Sequence, residues 1–157
     1  MALKSLMKLR GAGLRIGIVT ARFNEPICEQ LLAGARKALA EMGVDGNEIA
    51  EVTVPGALEI PLALQSFAAT EQFDALIALG CVIKGDTYHF EVVCNESAAG
   101  IARVGLDLDI AIGNGVLTTY TEEQAQGRAA QKGYEAAQAA VEMALLQEWT
   151  HSQFGDA

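Results

Sequence analysis

Asp74-Ala75-Leu76-Ile77-Ala78-Leu79-Gly80-Cys81-Val82-Ile83 contains the longest apolar run of the chain, nine residues from Ala75 to Ile83. A strand with one wet face alternates polar and apolar residues, and this one does not. A continuous run of this length reads as a strand covered by helices on both faces of a parallel sheet. It falls well short of the ~20 residues that a membrane-crossing helix needs.

Working outward, strand-like and helix-like periods alternate. Toward the N-terminus, Arg15–Thr20 and Ile49–Val54 read as short strands. Ile27, Leu31, Ala35, Leu39 and Met42 recur every three or four residues over Pro26–Met42, one face of a helix. Pro26 near its start and Gly43 just past its end are the expected punctuation. Ile60, Leu64, Phe67 and Ala68 mark a second helical face, with Pro61 tolerated in its first turn. Toward the C-terminus, Phe90, Val93, Cys94, Ala98 and Ile101 form a third stripe. Leu108–Thr119 reads as a fourth strand, and a long helical region runs from Thr121 to about Glu148. Tyr134, Ala137, Val141 and Leu145 keep its period, and Met7, Met42 and Met143 read as core or packing residues. Repeated strand-helix units with short connections predict a three-layer α/β/α sandwich around a four-stranded parallel sheet.

The chain has 157 residues, 51% hydrophobic and 20% charged, enough for one packed core and too few for two ordinary domains. We read residues 1–157 as one domain, with 1–13 an N-terminal arm and 149–157 a C-terminal tail. Net charge is -9 and the pI about 4.6, which argues against a nucleic-acid or anionic-membrane binder. No apolar segment of export-signal type follows Lys4 and Lys8, so a soluble, cytoplasmic protein is expected. Cys28, Cys81 and Cys94 sit in apolar segments without CxxC spacing, which favours reduced thiols over a disulfide framework or zinc site. With two histidines, no metal centre is expected.

In open parallel sheets ligands bind beyond the carboxyl ends of the strands, where strand order reverses. That rule selects Ala21–Glu25, Pro55–Glu59, Lys84–His89 and Thr118–Tyr120. Lys84-Gly85-Asp86-Thr87 joins a buried strand to a helix, as a phosphate cradle of backbone N–H groups and the Thr87 hydroxyl would. The plainer alternative is that Asp86 or Thr87 merely caps the helix. His89, in the first turn, is suited to proton transfer near neutral pH, or is a surface histidine. Phe23 offers an aromatic face and Asn24 an amide, although Phe23 reads equally well as a loop anchor. Glu59 can accept hydroxyl hydrogens or sit idle in an exposed turn. Arg128 and Lys132 share a helix face, the usual disposition of a solvated pair. His151 is assigned no role.

Arg22-Phe23-Asn24, Val54-Pro55-Gly56-Ala57-Leu58-Glu59-Ile60-Pro61, Leu79 through Phe90 and Val92-Val93-Cys94-Asn95-Glu96 occur in the order and spacing of the lumazine synthases. From about Leu14 to Leu145 the chain resembles that family. The resemblance implies a flavodoxin-like sheet and a cofactor-free, metal-free condensation of 5-amino-6-(D-ribitylamino)uracil with 3,4-dihydroxy-2-butanone 4-phosphate. It implies that Phe23 stacks on the pyrimidine, that Asn24 and Glu59 bind the ribityl chain, and that the backbone of Cys81, Val82 and Ile83 meets the ring beside Gly56 and Ala57. Gly85, Asp86 and Thr87 would take the phosphate, His89 would move protons, and Arg128 would complete the phosphate site from a neighbouring subunit. The implied assembly is at least a homopentamer with active sites between subunits.

Two positions depart from the family pattern. Asn114 stands where many members place a phenylalanine over the pyrimidine from the adjacent subunit. The segment from Arg128 to Lys132 is shorter than the commoner form, so Lys132 is matched only through a gap, at a place where a bend between the last helices is expected. The rival readings are an archaeal-type riboflavin synthase, disfavoured by the phosphate cradle, His89 and Arg128, and a noncatalytic flavin or lumazine carrier or shell protein, which needs no phosphate site.

Overall fold

The computed structural model describes residues 5–155. Four strands, β1 (Ile16–Ala21), β2 (Ile49–Val54), β3 (Ala75–Ile83) and β4 (Ala111–Thr119), form one parallel sheet in the order β2-β1-β3-β4. Four helices alternate with them: α1 (Glu25–Glu41), α2 (Ile60–Ala69), α3 (His89–Asp107) and α4 (Glu122–Phe154). Single 3₁₀ turns at Gly46–Glu48 and Ala57–Glu59 precede β2 and α2.

Two-residue periodicity along the buried strands sorts the core into two layers. Ile16, Ile18, Ile77, Leu79 and Cys81 pack with Leu31, Ala35 and Ala38 of α1 and Ala137, Ala140 and Val141 of α4. Val19, Ala21, Leu76, Ala78 and Val82 face Ile60 and Leu64 of α2 and Ile101 and Val104 of α3. Helices therefore cover both faces of β3, and its first eight residues are buried. The three-layer expectation from Asp74–Ile83 is met. No helix among the described residues is long and apolar enough to cross a membrane.

The order β2-β1-β3-β4 means the chain builds outward from β1 to β2, then returns to the other side of β1 with β3. Strand order reverses there, and the carboxyl ends of β1 and β3 flank the resulting crevice.

Several expectations are corrected. β4 starts at Ala111, not Leu108: Leu108 caps the C-terminus of α3, and Asp109 takes a left-handed φ of 52°. Ile110 N–H then donates to the Gly105 carbonyl at 3.0 Å, so the apolar alternation of Leu108 and Ile110 belongs to a helix exit. Helix α4 passes Glu148 and includes Trp149–Phe154 of the expected tail, with the Trp149 and Phe154 rings edge-on at 5.8 Å. The expected division into separate last helices near Ala129–Gln131 is not found: α4 is one helix of 33 residues. Met143 is 45% exposed and does not pack in the core of this chain. Residues 1–4 of the arm and 156–157 of the tail lie outside the described residues.

Candidate active site

The loops after β1, β2 and β3 enclose a groove of about 440 Å³. Phe23 contributes from the first loop, Pro55 to Glu59 from the second, and Cys81, Val82, Ile83, Gly85 and His89 from the third. Phe90 and Val93 complete its walls, and sequence reading did not assign them to a site. The signal was available for Val93, which lies four residues after His89 and so shares its helix face.

Phe23 is 72% exposed, so it is not an anchor in the core of this chain. Its backbone is held: Arg22 N–H donates to the Val54 carbonyl at 2.8 Å and Phe23 N–H to the Pro55 carbonyl at 3.1 Å. Those bonds continue the β1–β2 ladder past the end of the sheet, placing an aromatic face beside the Pro55–Glu59 turn. Glu59 is exposed and precedes α2, and a Cβ added to Gly56 would lie 3.4 Å from its Oε1. A carboxylate so placed presents acceptors to the groove.

Asn24 is not among the residues lining the groove; its Nδ2 donates to the Cys81 carbonyl at 2.9 Å. The Cys28 and Cys81 thiols are buried and free. Burial pushes Cys28 up to about 12 and Cys81 to about 11, so neither supplies a thiolate near neutral pH. Cys94, half-buried, is raised for the same reason.

The Lys84–Thr87 segment begins where Lys84 N–H donates to the Thr119 carbonyl at 2.9 Å. Helix α3 starts at His89 with Tyr88 as its N-cap, and no side chain caps it, which corrects the reading of Asp86 or Thr87 as the cap. The N–H groups of Gly85, Asp86, Thr87 and Tyr88 donate to no protein atom within hydrogen-bond distance among the described residues. Free N–H groups leading into a helix N-terminus suit an anion. Gly85 and His89 border the groove, whereas Asp86 and Thr87 are exposed beside it.

Three expected site residues lie elsewhere on the chain. Arg128 and Lys132 line a separate cavity of about 620 Å³ formed by the end of β4 and the start of α4, where Arg128 Nη1 donates to the Gln124 carbonyl at 3.0 Å. The Lys84 ammonium lies 5.6 Å from the Tyr120 ring centroid at the edge of that cavity. Asn114 borders a third cavity, with Leu106 and Met143, and its Oδ1 accepts Val116 N–H at 2.9 Å. The structure therefore unites Phe23, Gly56, Ala57, Glu59, Cys81, Val82, Ile83, Gly85 and His89, and separates Asn114, Arg128 and Lys132 from them.

Comparison with known proteins finds that the family described as 6,7-dimethyl-8-ribityllumazine synthase matches residues 13–148. Proteins named 6,7-dimethyl-8-ribityllumazine synthase are similar over 138 residues, 88% of this chain. Those of Ralstonia pickettii and Cupriavidus necator are 62% and 60% identical with 83% of their own length covered. That of Paraburkholderia xenovorans is 61% identical with 82% covered.

Proposed function

Since the chain belongs to the 6,7-dimethyl-8-ribityllumazine synthase family, we propose that the groove between Phe23 and His89 is its active site and that a neighbouring subunit completes it. The chain is an enzyme of riboflavin biosynthesis. It condenses 5-amino-6-(D-ribitylamino)uracil with 3,4-dihydroxy-2-butanone 4-phosphate, forming 6,7-dimethyl-8-ribityllumazine with release of phosphate and water.

In this reading the pyrimidine stacks on Phe23 with its edge along the backbone of Cys81 to Ile83, near Gly56 and Ala57. Glu59 accepts hydrogens from ribityl hydroxyls. The phosphate rests on the free N–H groups of Gly85, Asp86 and Thr87, with the Thr87 hydroxyl as a further donor. The ketone is thereby held against the ring amine, and this positioning supplies much of the rate. Amine attack on the carbonyl is followed by loss of water. His89 takes and returns protons during that step and as phosphate leaves.

The observation that carries the shared site is that Phe23 and His89 line one groove whereas Arg128 lines another cavity of the same chain. In an acidic protein a phosphate ester needs a local cation, and in this reading Arg128, assisted by Lys132, supplies it from an adjacent copy. Asn114 meets the pyrimidine from that same neighbour. An apolar surface where Leu106 is 84% and Met143 45% exposed, beside the open edge of β4, supports self-association. We place the enzyme in the cytoplasm as a homopentamer or a larger assembly of pentamers.

Steady-state kinetics with both substrates tests the groove. Phe23→Ala is expected to raise the KM for the pyrimidine about tenfold through loss of stacking. His89→Ala is expected to lower kcat roughly tenfold to a hundredfold, with the pyrimidine KM little changed, because positioning persists without the proton shuttle. Wild-type values for both variants would remove the groove from the reaction.

A further inference from the structure

We infer that Asn24 and Cys28 are positioning residues that hold the Phe23 ring against the Cys81–Ile83 edge, a role resting on the groove being the pyrimidine site. Phe23 is largely exposed, so side-chain packing within the chain does not fix it. Its backbone is tied at both its N–H and its carbonyl instead, and the next residue is tied to β3. Phe23 N–H donates to the Pro55 carbonyl at 3.1 Å, the Cys28 thiol donates to the Phe23 carbonyl at 3.3 Å, and Asn24 Nδ2 donates to the Cys81 carbonyl at 2.9 Å. The partners come from the end of β2, the first turns of α1 and β3.

Asn24 is the N-cap residue of α1, where a side-chain oxygen ordinarily accepts a first-turn N–H. It makes no such bond. Its backbone is left-handed, φ 62° and ψ 48°, a conformation that asparagine tolerates better than most non-glycine residues. Both the missing cap and the backbone strain disfavour this turn, and what it gains is a bond to a carbonyl 57 residues away, on the strand that borders the groove. Cys28 is 2% exposed, and burial keeps its thiol protonated and able to donate at neutral pH. Asn24 therefore acts through Phe23: one of its two amide N–H groups is committed to the Cys81 carbonyl, and Asn24 does not line the groove, although the family resemblance assigns it to the ribityl chain.

A double-mutant cycle separates the two roles. Asn24→Gly keeps the left-handed freedom and removes the amide, and should raise the pyrimidine KM about three- to tenfold with kcat and the ketone KM unchanged. Combined with Phe23→Ala it should add nothing further, because the ring it positions is gone. Cys28→Ala should raise the same KM about threefold, and Cys28→Ser, which retains a donor, should recover part of that loss. Thermal unfolding identifies any Asn24 variant that fails to fold, and the Cys28 pair then decides. Additive effects of Asn24→Gly and Phe23→Ala, or equal losses for Cys28→Ala and Cys28→Ser, would overturn the inference and leave the groove standing. A pyrimidine KM unmoved by Phe23→Ala alone would overturn both.

Discussion

Arg128→Ala is expected to lower kcat/KM for 3,4-dihydroxy-2-butanone 4-phosphate by roughly a hundredfold or more, while the KM for the pyrimidine stays near its wild-type value. The size follows from the chemistry of the pair: charge-assisted bonds between a guanidinium and a phosphate are about twice as strong as neutral ones, and truncating one partner of a desolvated pair costs about 2–5 kcal/mol. Lys84, next to the cradle in sequence, holds its ammonium 5.6 Å from the Tyr120 ring centroid at the edge of the Arg128 cavity. Asp86 adds negative charge next to the cradle, and the chain carries -9 overall. Arg128→Lys should recover only part of the loss, since an ammonium cannot grip two phosphate oxygens in a planar fork. Initial rates measured with each substrate varied in turn check this. A loss falling equally on both substrates would take Arg128 out of the phosphate role.

Gly133→Val should remove a large share of the stability of the fold. A Cβ at Gly133 would sit 1.9 Å from the Leu31 carbonyl oxygen, and one at Gly34 would sit 2.1 Å from that of Ala130. Helices α1 and α4 thus meet backbone to backbone at a pair of glycines, and neither carbonyl is the end of a flexible side chain that can swing away. Forcing the helices apart opens a layer that includes Leu31, Ala35, Ala137 and Val141, all fully buried. We expect a loss of about 3–5 kcal/mol, at the upper end for a single substitution, against a total of about 5–15 kcal/mol for a domain. Thermal unfolding should show a Tm lower by about 10–15 °C. Gly46→Ala, where an added Cβ meets nothing within 4 Å, is the control and should unfold near wild type. Equal melting of Gly133→Val and wild type would refute the close approach of α1 and α4.

How far the sequence could be read depended on whether the deciding interactions were local. The run Ala75–Ile83 announced a doubly covered strand because burial on both faces leaves no room for polar alternation. That Phe23, Glu59 and His89 would border one groove could be anticipated because parallel strands deliver their following loops to one edge of the sheet. Leu108 and Ile110 misled because apolar alternation looks alike in a strand and in a helix exit that packs inward, and the left-handed Asp109 that separates the two leaves no composition signal. The expected bend in α4 came from a shortened segment, but Ala129, Gln131 and Lys132 are compatible with a continuous helix. Asn24 shows the clearest limit: its partner, the Cys81 carbonyl, is a backbone atom on a distant strand, and no residue type advertises it.

The most direct measurement mixes two damaged chains. One carries Arg128→Ala; the other carries Phe23→Ala, Glu59→Ala and His89→Ala and keeps Arg128. Each alone should form the assembly and turn over poorly. Co-assembled in equal amounts, with mixing verified by native mass spectrometry, they should regain roughly a quarter of wild-type activity, since a sound groove meets a sound arginine at about one interface in four. Activity in the mixed assembly no higher than the mean of the two separate variants would contradict a site shared between subunits.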